Sequence, residues 1–99
     1  MLGTFDISKL HATLINLDSN EYKLLEPISL IIEKTDDVYL CWCKDYEVYS
    51  EGDTAKESVI EMRLEIIDLI NDLNETPDNK LSDEFIIMKT NLNKIIEKK

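Results

Sequence analysis

The chain has 99 residues, enough for one small domain and not for two. Its 11 Lys and Arg against 21 Asp and Glu leave a formal charge of −10, and so acidic a surface would repel the phosphates that extended nucleic-acid binding has to neutralise. No direct nucleic-acid partner is therefore expected, and a protein partner held by charge would be basic.

Met1-Leu2-Gly3-Thr4-Phe5-Asp6 has no basic start and soon turns polar, and no apolar run approaches the roughly 20 residues of a membrane span, so a cytoplasmic protein with no membrane partner is expected. Hydrophobic residues make up 43% of a chain with two glycines and two prolines, a globular composition. A domain of this size buries only about two-thirds of its unfolded surface, so self-association into a homodimer or higher oligomer is also expected.

From Lys9 to Leu17, Leu10, Ala12 and Leu14 alternate with His11, Thr13, Ile15 and Leu17, a period of two that suits a strand, although a helix fits as well. Asp18-Ser19-Asn20 reads as a turn, after which Tyr22 to Ile32 is extended. Proline cannot donate to a ladder, so this segment either lies at an edge or, as favoured here, breaks at Glu26-Pro27 and restarts at Ile28. Thr35-Asp36-Asp37 forms the next turn. Val38 to Cys43 is the clearest strand, with Val38, Leu40 and Trp42 on one face and Tyr39, Cys41 and Cys43 on the other. Tyr46 to Ser50 alternates once more before Glu51-Gly52-Asp53, where glycine permits a turn into a helix.

Thr54-Ala55-Lys56-Glu57 fits a capping box, in which the threonine hydroxyl accepts the N3 amide and the glutamate returns to the cap amide. Val59, Met62, Ile66, Leu69 and Leu73 follow at spacings of three and four, flanked by Ile60, Ile67 and Ile70, a broad apolar stripe able to cover a sheet. Pro77 ends this helix and Glu75 to Lys80 is a linker. A last helix is expected from about Ser82 to Ile96, with Phe85, Met88, Leu92 and Ile95 three and four apart, the first three read as core or dimer packing rather than a ligand pocket, and Lys94, Lys98 and Lys99 at its C-terminal dipole. The expected fold is α+β: a three- or four-stranded antiparallel sheet covered by one long helix, with a second C-terminal helix.

Catalytic chemistry finds little support. His11 is the one histidine, and pairing it with Cys41 or Cys43 as a dyad, or with both as a metal site, needs the sheet to bring them together. Cys41 and Cys43 would lie on one face about 6.6 Å apart, where a bridge is strained and C-x-C splays the sulfurs, so two reduced, core-packed thiols are expected. Asp36, Asp37, Asp45 and Asp53 are explained as turn and helix-entry residues, and no glycine-rich phosphate loop or nucleophile elbow is present. No enzyme, cofactor or metal is expected.

One pattern stands out on the long helix. Glu57, Glu61, Glu65, Asp68 and Asp72 recur at spacings of four, four, three and four, an acidic stripe whose like charges repel by about a few tenths of a kcal/mol per pair. A basic partner would relieve the repulsion; a solvated outer face is the alternative. Residues 1–79 hold 6 basic and 18 acidic side chains, net −12, while residues 80–99 hold 5 and 3, net +2.

The stretch from Ile28 to Leu73 resembles the HicB-like antitoxin domain. The resemblance is carried by Tyr39-Leu40-Cys41-Trp42, by Tyr46 to Tyr49, and above all by Gly52-Asp53-Thr54-Ala55-Lys56-Glu57-Ser58, which looks like the family's G-D-T-x-x-E-A with Ser58 in place of alanine. It implies a β-β-β-α order similar to a partial double-stranded-RNA-binding domain, and an antitoxin that neutralises a small basic ribonuclease toxin. Divergence shows in Lys44-Asp45, which replaces the family's Pro-Gly-containing segment, and in residues 80–99, too few for the DNA-binding module such proteins often add. The expected layout is a single domain, with an N-terminal extension over 1–27 supplying an edge strand, the HicB-like core over 28–76 and the C-terminal helix over 80–99. The alternative is a stand-alone homo-oligomer of the same fold without a toxin partner. Partner contacts are assigned to Glu57, Glu61, Glu65, Asp68 and Asp72.

Overall fold

The computed structural model describes residues 9–99; the opening hexapeptide, read above as lacking a basic leader, lies outside them. Strand β1 (Lys9–Leu14) pairs antiparallel with β3 (Ile28–Lys34) along its whole length, from Lys9 opposite Glu33 to Leu14 opposite Ile28. The period of two therefore wins over the helical alternative, because it lets Leu14 reach the core while His11 and Thr13 stay exposed on the other face. Strand β3 continues through the turn Thr35–Val38, where the Thr35 hydroxyl donates to the Val38 carbonyl, into β4 (Tyr39–Cys43). A 3₁₀ turn over Lys44–Tyr46 then leads to β5 (Val48–Gly52), completing a four-stranded sheet in the order β1-β3-β4-β5. Tyr46 thus belongs to the turn rather than to the strand expected from it. Glu47 leaves the turn at φ 53°, a left-handed conformation that redirects the chain into β5.

The break at Glu26-Pro27 is real and larger than expected. Before it, β2 (Tyr22–Leu24) leaves the main sheet and pairs with β6 (Ile96–Lys98), which follows the last helix. Backbone bonds from Leu25 to Ile95 and from Lys99 to Glu21 extend this two-stranded ribbon.

Helix α1 (Ala55–Glu75) covers one face of the sheet. Its buried row is Ser58, Met62, Ile66, Ile70 and Leu73, so Ile70 belongs to the centre of the stripe, while Val59 and Leu69 are only partly buried. An i, i+4 row slants across a helix, and following it moves the burial centre away from the 3.6-residue stripe read from sequence. Opposite it lie Ile28, Leu30 and Ile32 of β3 with Cys41 and Cys43 of β4, all in one cluster. Each large apolar side chain so buried contributes about 2 kcal/mol.

Helix α2 (Asp83–Ile95) is capped by the Ser82 hydroxyl, which accepts the Phe85 amide at 3.3 Å. It returns the chain to the same core, where Leu92 and, in β6, Ile96 are buried, whereas Phe85 is exposed. Of the three lysines assigned to the α2 dipole, Lys94 alone lies in its last turn; Lys98 belongs to β6, and Lys99 follows it and donates its Nζ to the Ser19 carbonyl. A reciprocal amide pair, Asn74 with Asn93, and a hydrogen bond from the Tyr22 hydroxyl to Asn71 Oδ1 fasten α2 and β2 to α1. Removing residues 80–99 would therefore open the core, not merely shorten the chain.

Gly52 is needed for a different reason from the one its sequence context suggests. Its φ is not positive; instead a Cβ there would lie 2.5 Å from the Ser58 amide nitrogen and 2.8 Å from the Glu57 carbonyl carbon. The first turn of α1 sits directly on the end of β5, and backbone cannot yield as a flexible side chain can. Gly52→Ala is expected to destabilise the fold by about 2 kcal/mol, the usual scale of overpacking, read as a lower urea midpoint. Ser58→Ala, which keeps that volume small, should cost markedly less.

Candidate protein-binding face

The acidic face begins with the cap of α1. The Thr54 hydroxyl accepts the Glu57 amide at 3.1 Å, and Glu57 Oε2 accepts in return from the Asp53 amide at 3.0 Å, one residue before the expected Thr54 amide. One of the amide donors that a helix start leaves open is thus met, together with the amide of the residue before the cap, and Glu57 is partly a structural residue. A second link holds the seam below it: the Ser50 hydroxyl donates to the Ser58 carbonyl at 2.7 Å, while the Ser58 hydroxyl donates to Ala55. Toward the helix β5 presents Val48, Ser50 and Gly52, side chains that shrink toward the point where α1 begins.

That seating decides where the stripe faces. Glu57 and Glu61 line an open groove with Glu51, Gly52 and Asp53, while Glu65, Asp68 and Asp72 line a second with Glu47, Val48 and Tyr49. All five residues picked from sequence are exposed, and each lines one of these two grooves between α1 and β5. The fold adds Glu47, Glu51 and Asp53, which share the two-residue period of a strand and so belong to a different element from the stripe until β5 and α1 pack side by side. Among the described residues none of these eight carboxylates has an ion-pair partner; the bridge between Lys89 and Asp78, at 2.8 Å, lies elsewhere. The elongated negative surface is bordered by Val38 and Ile60 at one end and Val48 and Leu69 at the other, apolar contacts within reach of any chain laid along it.

No described helix covers the opposite face of the sheet. Across it His11, Ile31, Trp42 and Tyr49 form one cross-strand row, with the Trp42 and Tyr49 rings stacked at 5.7 Å between centroids and 9° between planes. Trp42 Nε1 is buried without a hydrogen-bond partner among the described residues. Leu40 and Glu33 complete the wall of a shallow depression there.

The same alternation separates the residues that a dyad or a metal site would have to join. His11 is on the uncovered face, and Cys41 and Cys43 point into the core, both with no exposed surface and both free. The sheet itself stands between them. Among the described residues no three His, Cys, Asp or Glu side chains are placed to hold a metal ion. No described helix is long and apolar enough to cross a membrane. No protein-family model matches the chain, and neither a curated protein nor a solved structure does.

Burial pushes both thiols above their ordinary range, against smaller opposing effects from the Ser50 hydroxyl on Cys41 and from the Tyr46 and Asp45 backbone on Cys43. Burial likewise raises Tyr46, with the neighbouring Cys43, Asp45 and Glu26 adding to it. The sign follows from proton release: unfolded thiols ionise near 9.0, the buried ones higher, so alkali favours the unfolded chain. Stability conferred by these groups is expected to be full below about pH 9 and to fall as pH rises through the folded values, measured as urea midpoints across that range. A Cys41→Ala/Cys43→Ala variant should show a shallower decline, the remainder coming from Tyr46. In the native state both thiols should resist a disulfide-exchange reagent that labels them rapidly in urea.

Proposed function

We propose that the chain is a non-catalytic binding module that occludes a small basic protein with the α1 face bordering β5. The observation that carries this reading is the gathering of the stripe and three strand-associated carboxylates onto one surface without basic counterparts among the described residues. Such a field steers a cationic partner toward the face, and the apolar rims hold it once docked. The resemblance of Gly52 to Ser58 to the HicB-like motif supports the more specific form: an antitoxin whose target is a small basic ribonuclease.

The test uses a pair of residues free of structural duties, Glu61 and Glu65; Glu57 is spared because it caps the helix. Tagged wild type and a Glu61→Lys/Glu65→Lys variant are used to capture proteins from the native cell at low and high salt. A basic protein retained by wild type at low salt, released at high salt and lost from the variant is the expected outcome. If that protein cleaves RNA, wild type should suppress the cleavage and the variant should not. Equal capture by a folded variant would overturn the assignment of the stripe.

The uncovered face favours a second reading, a stand-alone homo-oligomer. Tyr49 is 62% exposed beside Leu40 and the stacked Trp42, apolar area that a second copy could cover. Under that reading wild type sediments as a dimer or larger species, and Leu40→Lys/Tyr49→Lys as a monomer.

A further inference from the structure

Among the described residues strand β5 is an edge strand, hydrogen-bonded to β4 on one side only. An antiparallel ladder with one neighbour uses roughly half of a strand's backbone groups, and the rest point away from the sheet. Among the described residues, Val48–Gly52 makes no backbone hydrogen bond beyond the β4 ladder. The run contains no proline and no residue of positive φ, so its outer side is a regular five-residue template. Helix α1 leaves that side reachable, because the two grooves between helix and strand are open to solvent.

Edges left in this state invite pairing, and proteins commonly defend them with charge. Here the defence has one sign. Glu47 and Asp53 flank the strand, Glu51 lies within it, and the α1 carboxylates run beside it. A second copy of β5 would bring the same acidic residues against these, which like charges across a strand pair oppose. A cationic strand meets no such barrier.

We infer that the β5 edge takes up a basic, extended segment of the partner as a fifth strand of the sheet. This rests on the binding reading above and names how the partner is held. The pleat dictates the pattern of that segment. Side chains on the helix side of the added strand would lie toward Glu61 and Glu65 and be Lys or Arg; on the other side, where β5 presents Tyr49 and Glu51, the one beside Tyr49 would be apolar. Main-chain bonds supply affinity and the alternating basic and apolar side chains supply selection.

The probe is the peptide Lys-Val-Lys-Val-Lys-Val-Lys, compared with the same sequence carrying D-valine, which keeps charge and composition but cannot form a regular strand. The full-length protein is titrated with each at low salt, and amide exchange is followed residue by residue. The expected result is binding of the all-L peptide about tenfold or more tighter than the D-valine form, consistent with losing several main-chain bonds. Exchange should slow at alternate amides of Val48–Gly52, with β1 amides unchanged. The Glu61→Lys/Glu65→Lys variant should weaken binding of both peptides. Equal, salt-sensitive binding of the two peptides with no change at β5 would overturn the strand-addition inference and leave the acidic-face reading standing. Failure of the all-L peptide to bind would also overturn the inference, while partner capture continues to judge the broader reading separately.

Discussion

The contact on which the rest of the structure depends is the seat of the first turn of α1 on the end of β5. There the helix backbone comes so near the strand that position 52 has no room for a side chain, and position 58 is fully buried as a serine. The Ser50 hydroxyl bridges the two backbones, and the Thr54 and Glu57 side chains satisfy the amides where the chain turns. Close approach at one end sets the rotation of the whole helix about its axis. Met62, Ile66 and Ile70 then fall on the sheet, and the acidic residues between them line the grooves between helix and strand.

That geometry turns a modest local cost into a surface property. Carboxylates at i, i+4 repel one another on an isolated helix, and those of β5 bring more negative charge to the same place. Burial of the apolar row outweighs the repulsion, because each side chain removed from water contributes about 2 kcal/mol against a few tenths per like-charged pair. The protein can therefore hold an unneutralised acidic face in a stable fold. Its cationic side chains are engaged elsewhere in part: Arg63 donates to the Asn16 carbonyl, Lys89 pairs with Asp78 and Lys99 reaches Ser19.

The sheet also sorts chemistry between its faces. Cysteines enter the core and behave as small apolar groups whose ionisation burial opposes, while His11, Trp42 and Tyr49 line the side opposite the described helices. A single layer of pleated backbone is enough to keep the imidazole and the thiols apart. The ribbon of β2 and β6 closes the other end of the core by joining a segment near the start of the chain to one near its finish.

Local rules determined much of this from sequence alone. The capping residues Thr54 and Ser82, the alternation of Tyr39 to Cys43, the interruption at Pro27 and the apolar spacing along α1 are each set by neighbours within a few positions, so the α+β class and the order of the central strands and the two helices could be read directly. The five stripe residues were legible for the same reason, since a helix repeats every 3.6 residues. What tertiary structure alone decided is what depends on distant partners. Lys9 to Leu14 becomes a strand because β3 accepts its register; Ile96 leaves helical geometry because β2 lies open beside it; Gly52 is required because a helix later in the chain packs on it. Glu47, Glu51 and Asp53 join the acidic face only when β5 becomes an edge, and no local pattern encodes which strand of a sheet is left without a neighbour.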